Sequence, residues 1–145
     1  MEGTNLGRGP QVRVVGHWCM DMSNRSFEDL EAWQHARRLA GRVYQVTRSG
    51  EFARDFGLRD QVSRSVVSVM ANIAEGSERK SDKDFLRFLR IASGSLAETR
   101  SHIIIAHDLG YLREEEFSSL SEELNSTGRL LKGLARYLEG ACNDE

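Results

Sequence analysis

The chain is poor in the residues that break, staple or anchor a fold. Its 145 residues hold one proline, Pro10, so everything beyond that position is free of the ring that interrupts helices. Cys19 and Cys142 lie near opposite ends, without a CxxC pair or the histidine spacing of a zinc site. That pattern excludes a disulfide framework and predicts free thiols in a reducing, cytoplasmic setting. No apolar run approaches the roughly 20 residues that span a bilayer. Val12-Arg13-Val14-Val15 is too short and too charged for a secretory core, so no membrane role is expected. Neither sign of charge dominates. A formal net charge of −2 excludes a protein that coats nucleic acid by bulk electrostatics alone.

What is present favours helix. Long stretches rich in Leu, Ala, Glu and Arg follow the N-terminal segment, and 39% hydrophobic residues suffice for a single core. The charges are segregated along the chain. From Arg37 to Arg100 there are 13 Arg or Lys against 8 acids, whereas Asp108 to Glu123 holds one Arg against six acids. The cations are 17 Arg and 3 Lys. Arg suits bidentate phosphate contacts, although codon bias in a GC-rich genome explains the same excess and is the preferred account.

Three segments follow from this pattern. Residues 1–25 combine glycines with Pro10 and no sustained period, and read as a disordered leader or as translation from an early start, with Met20 or Met22 as alternative starts. Residues 26–140 carry four helical patterns, and residues 141–145 read as a flexible tail. The first helix is predicted over about 27–48, opened by a capping box of Ser26 and Asp29, with Leu30, Trp33, Ala40 and Val43 on one face. Phe52 and Phe56, in the connection that follows, are expected to tuck onto the bundle end. The second helix, about 58–75, shows Val62, Val66, Val69, Met70 and Ile73 in one stripe and is expected to stop at Gly76. The third starts at a second capping box, Ser81 with Asp84, and runs to Gly110 as its C′ residue. At 1.5 Å per residue it is roughly 42 Å long. The fourth repeats Phe117, Leu120, Leu124, Thr127, Leu131, Leu134 and Leu138 at heptad spacing and is expected to end near Glu139. The short connections predict an up-down-up-down antiparallel four-helix bundle of the all-α class.

The third helix has more apolar surface than one core absorbs. Leu86, Ile91, Ala97, Ile104 and Ile105 lie outside its main stripe, which predicts an oligomer interface. The run from Ser68 to Glu98 sets small and polar residues inside apolar stripes: Ser68, Asn72, Glu75 and Gly76 on the second helix, Gly94, Ser95 and Glu98 on the third. These seven are the candidates for close helix packing and for subunit contact. Glu75 and Glu98 are expected near the bundle interior beside Arg64, Arg79 or Arg100, as ion pairs that fix register rather than as general bases.

No catalytic constellation competes with this reading. Glu31 with His35 and Glu98 with His102 stand at i+4, not at the Glu-x-x-His spacing of di-iron bundles, and no second carboxylate pair accompanies them. Ser93, Ser95 and Ser101 lie near His102, but a serine within a regular helix lacks the strained turn and oxyanion donors of acyl transfer. No metal, cofactor or small-molecule substrate is expected. Arg38 with Arg42, Lys83 with Arg87 and Arg90, and Arg129 with Lys132 and Arg136 stack at helical spacing. They read first as solvated faces and second as a phosphate-contacting surface that an oligomer would multiply.

Four sequence pieces carry a resemblance: Phe27-Glu28-Asp29-Leu30 with Trp33, Ser68 with Ala71-Asn72-Ile73-Ala74-Glu75-Gly76, Ser93-Gly94-Ser95-Leu96 with Glu98, and Leu109-Gly110-Tyr111-Leu112. Together, over about residues 26–140, they resemble the four-helix bundle proteins encoded by 23S rRNA intervening sequences. A more distant likeness is to the accessory variability determinant of diversity-generating retroelements, a basic pentameric bundle that binds a reverse transcriptase and nucleic acid. The resemblance implies a small bacterial cytoplasmic protein assembled as a homopentamer. The expected function is that of a non-enzymatic module associated with RNA or ribonucleoprotein. The alternative is a structural adaptor that binds another protein without touching nucleic acid.

Overall fold

The computed structural model describes residues 26–143. The expected leader at 1–25 and residues 144–145 of the expected tail lie outside the described residues. Among the described residues there are four α-helices and no strand: α1 (Glu31–Val46), α2 (Phe56–Ser77), α3 (Asp82–Asp108) and α4 (Glu114–Asn143). The all-α class expected from composition and period is therefore what the described residues adopt.

Local chemistry explains most of the boundaries. At the start of α3, Ser81 Oγ accepts the Asp84 amide at 3.2 Å, the expected cap. At its end, Gly110 takes a φ of 76°, and the Tyr111 amide reaches back to the Ala106 carbonyl at 2.9 Å. This is a Schellman closure, which needs the left-handed residue that glycine supplies. Asp55 Oδ1 caps α2 through the Leu58 amide at 3.1 Å. Glu116 Oε1 accepts the Arg113 amide at 3.0 Å where α4 begins, half of a capping box built without a serine.

Four boundaries or placements differ from the sequence expectation. Ser26 does cap, but it caps a 3-10 turn at Phe27–Asp29, and Leu30 is extended at φ −73° and ψ 123° before α1 begins at Glu31. The break buries Leu30 to 2% exposure. Phe52 is fully buried as expected, but Phe56 opens α2 on its solvent side and is 68% exposed. α2 runs through Gly76 to Ser77, because Gly76 is a packing position and not a helix stop. A Cβ there would lie 2.6 Å from Phe88 Cβ and 2.8 Å from Phe85 Cδ2. Finally, α4 continues past Glu139 and Gly140 to Asn143.

The core gathers one stripe from each helix. Leu39 and Val43 from α1, Val62, Val66, Val69 and Ile73 from α2, Leu89 and Ile103 from α3, and Leu120, Leu124, Leu131 and Leu138 from α4 are at most 1% exposed. The heptad position Thr127 is buried too, with its hydroxyl donating to the Glu123 carbonyl at 2.8 Å. Contacts between α2 and α3 join Ser65 to Thr99, Ser68 to Ser95, and Gly76 to Phe85 and Phe88. Between α3 and α4, Arg90 meets Glu139 at 3.8 Å and Arg100 donates to Asn125 at 2.8 Å. In both sets, numbers rise along one helix as they fall along the other. No helix of the described residues is long and apolar enough to cross a membrane.

Candidate interaction surface

The polar residues inside the apolar stripes of α2 and α3 converge on one seam. Deep in it, Thr99, with no exposed surface, donates to Ser65 Oγ at 2.9 Å, and Ser65 in turn donates to the Val62 carbonyl at 3.0 Å. Thr99 Oγ1 also lies 2.9 Å from the Ser95 carbonyl. Toward the surface, the hydroxyls of Ser68 and Ser95 share a hydrogen bond of 2.9 Å. Asn72 Nδ2 donates to both the carbonyl and the hydroxyl of Ser68, at 2.8 and 3.0 Å. Short side chains bring the helices close, and each hydroxyl lost from water finds a partner across or along the seam. These bonds link Ser68, Asn72 and Ser95, while Gly76 meets Phe85 and Phe88 farther along α2. The Ser65–Thr99 pair was not singled out beforehand, although Ser65 and Thr99 both fall on core-facing helical positions.

Glu75, Glu98 and Gly94 belong to the rim and not to the interior. Glu75 Oε1 accepts from Arg79 at 2.7 Å and Glu98 Oε1 meets His102 Nε2 at 3.4 Å, both as exposed i+4 pairs. Arg64 instead pairs with Asp60 at 2.9 Å, and Arg100 turns to Asn125. The reason is azimuthal: both glutamates sit about one helical step beyond the seam, where water solvates the carboxylate. Gly94 is exposed, and a Cβ added there meets nothing within 4 Å of its own chain. On the same outer side of α3, Ile91, Ile105 and Leu109 are 44%, 43% and 50% exposed, and Ile104 is 45% exposed on a neighbouring face. Leu86, expected among them, is buried.

The candidate cations divide into committed and open ones. Arg42 is held by Glu123 Oε1 at 2.7 Å and by Ser119 Oγ at 2.9 Å, so it joins α1 to α4. Arg90 faces Glu139, Arg87 lies over the Phe88 ring at 4.9 Å, and Arg129 donates to Ser126 at 3.2 Å. Arg38, Lys83, Lys132 and Arg136 are exposed and make no ion pair among the described residues. No group of three or more His, Cys, Asp or Glu among the described residues could hold a metal ion.

At the opposite end of α2, two features escaped the sequence reading. Tyr111 packs on Phe52 with ring centroids 5.5 Å apart, and its hydroxyl donates to Asp55 Oδ2 at 3.1 Å. The bond to Asp55, with burial and the charges of Asp55 and Glu51 adding to it, raises the Tyr111 pKa above the ordinary 10.0. Beside it lies a groove of about 250 Å³ lined by Tyr44, Thr47, Arg48, Arg59 and Ser63. Its residues come from the end of α1, the turn after it and the start of α2, and no local spacing announces it.

The comparisons with known proteins agree on the fold. A family model described as 23S rRNA-intervening sequence protein matches residues 28–133. A solved structure of a protein with unknown function from the S23 ribosomal protein family of Bacteroides thetaiotaomicron is similar with a TM-score of 0.66 and 23% identity. The match covers 72% of this chain and 97% of that one. No curated protein matches at a significant level.

Proposed function

This chain belongs to the 23S rRNA-intervening sequence protein family, and we propose that it is a non-enzymatic, self-assembling interaction module that associates with RNA or ribonucleoprotein. The observation that carries the reading is the outer side of α3. There Ile91, Ile105 and Leu109 stand in solvent beside Gly94, Ser95 and Glu98, in a chain whose core is already filled. Apolar surface of this kind is stabilised by a second copy. The small residues allow the close approach that such a contact uses. The opposed numbering of the helix contacts supports an up-down-up-down bundle, and the family resemblance supports a pentamer. In a closed ring the open cations Arg38, Lys83, Lys132 and Arg136 recur in every subunit, which strengthens their field toward phosphates.

Light scattering tests the first step. The expected mass is five times the 16.4 kDa chain, and a monomer at micromolar concentration overturns the assembly. Filter binding to structured RNA in a salt series tests the second. Affinity at about 50 mM salt that falls steeply as salt rises is expected. A second reading, the protein-binding adaptor, is favoured by the pairing of Arg42 and Arg90 with Glu123 and Glu139, which withdraws two candidate phosphate ligands. Absence of RNA affinity at low salt selects it.

A further inference from the structure

The groove between the end of α1 and the start of α2 is lined by two arginines without a carboxylate partner among the described residues, a state they share with Arg37 and Arg87, which lie over Trp33 and Phe88 on other faces. Elsewhere Arg42, Arg64, Arg79, Arg90 and Arg113 each face a carboxylate. Arg48 and Arg59, which both line the groove, form no ion pair among the described residues. Their guanidiniums lie instead over aromatic rings, Arg48 at 5.9 Å from the Tyr44 centroid and Arg59 at 4.9 Å from that of Phe56. One Arg59 nitrogen donates to the Ala53 carbonyl at 2.9 Å, which braces the side chain and leaves the rest of its fork open. Of the acids nearby, Asp55 is occupied by the Leu58 amide and Tyr111 and Asp60 by Arg64, and Glu51 is not part of the lining. The lining thus holds two cations, a Tyr ring and two hydroxyl side chains, with no carboxylate.

Tyr44 and Phe56 are both exposed, at 39% and 68%. Aromatic rings in water beside unpaired arginines are the elements by which proteins hold single strands: bases stack on the rings and phosphates meet the guanidiniums. A volume of about 250 Å³ lies just under the usual range for a drug-sized ligand and suits one nucleotide better than a folded element. We infer that this groove holds a nucleotide of a single-stranded RNA segment, its phosphate on Arg48 and Arg59 and its base on Tyr44. The inference rests on the RNA reading above but places the contact on residues outside the Arg38, Lys83, Lys132 and Arg136 set.

The test is fluorescence anisotropy of the full chain with a labelled single-stranded oligouridine, in a salt series from about 50 mM. Arg48→Gln with Arg59→Gln is expected to lower affinity at least tenfold and to flatten the salt slope by about one. Tyr44→Ala is expected to lower affinity roughly fivefold or more with the slope unchanged, as loss of a base stack does. Because Arg59 braces Ala53, Arg48→Gln alone serves as the variant that leaves the backbone contacts untouched, and it is expected to lose part of the affinity. A 4-thiouridine strand should cross-link within residues 44–63. If the Arg48 and Arg59 variants bind as the parent does while an Arg38, Lys83, Lys132 and Arg136 variant loses binding, the groove is refuted and the RNA reading stands. If no RNA binds, both fall, and binding of an acidic peptide in place of RNA assigns the groove to a protein partner.

Discussion

The contact between α2 and α3 and the contact between α1 and α4 solve the same packing problem with different materials. Across α2 and α3, Gly76 admits the Phe85 and Phe88 rings, and hydroxyls from Ser65, Ser68, Ser95 and Thr99 bond to one another. α1 and α4 bring Ala36, Leu39 and Val43 and a leucine heptad to the shared apolar core, and a clamp of Arg42 on Glu123 and Ser119 joins them at the rim. The leucine contact draws its stability from apolar area and tolerates rearrangement, since aliphatic side chains repack. The small-residue contact draws it from close approach and directional bonds, so it fixes one register and has little room for change.

Substitutions sharpen that difference. The largest loss is expected on the leucine side: Leu124→Ala removes a side chain 1% exposed and should cost about 2–5 kcal/mol in chemical denaturation. Gly76→Ala adds a single methyl against Phe85 and Phe88 and should cost about 1–3 kcal/mol by overpacking. Gly94→Ala, also in a helix but open to solvent, should raise monomer stability by about 0.5–1 kcal/mol. The same change is expected to weaken self-association on the outer face, so the two glycines should separate packing within a chain from packing between chains. Equal effects at Gly76 and Gly94 would undo the distinction. Thr99→Val keeps shape and deletes the buried donor to Ser65, at about 1 kcal/mol. A cost near zero would show that the hydroxyl seam sets register without adding stability.

The smallest effect is expected at Tyr111, outside both contacts, and it depends on pH. Its raised pKa means that the folded state favours the neutral phenol. The stabilisation is therefore fully present below the ordinary value of 10.0 and is lost as pH rises through the raised folded-state value. Tyr111→Phe removes the bond to Asp55, so the stability gap between parent and variant should shrink as melts are taken from about pH 8 into that alkaline range. A gap independent of pH would show that ring packing on Phe52, and not the hydroxyl, anchors this corner.

Much of the fold was legible because its signals are local. Ser81 and Gly110 bracket α3 with a cap and a left-handed closure that need only neighbouring residues, and the heptad from Phe117 to Leu138 declares the buried face of α4. Errors arose where a distant contact overrode a local habit. A glycine near a helix end ordinarily reads as C′, but Gly76 is small because α3 passes over it. Ser26 caps as its sequence context indicates, yet burial of Leu30 inserts a bend before α1. The sequence places Phe56 on the bundle end with Phe52, but α2 starts at Phe56 and turns it to water. Of the candidate surface, Ser68, Asn72 and Ser95 are marked in the sequence as polar residues in apolar stripes, which need partners. The Arg48 and Arg59 groove carries no such local mark, since its walls come from the end of α1, the turn after it and the start of α2.

By itself the sequence determined the helical class, the number of helices and the apolar stripe of each, because capping and a 3.6-residue period act between neighbours along the chain. Only the tertiary structure decided which polar groups meet and which stay in water. That depends on the rotation of one helix against another, and a step of one residue carries a side chain about 100° around the axis. Ser95 faces Ser68 and Glu98 faces solvent for that reason.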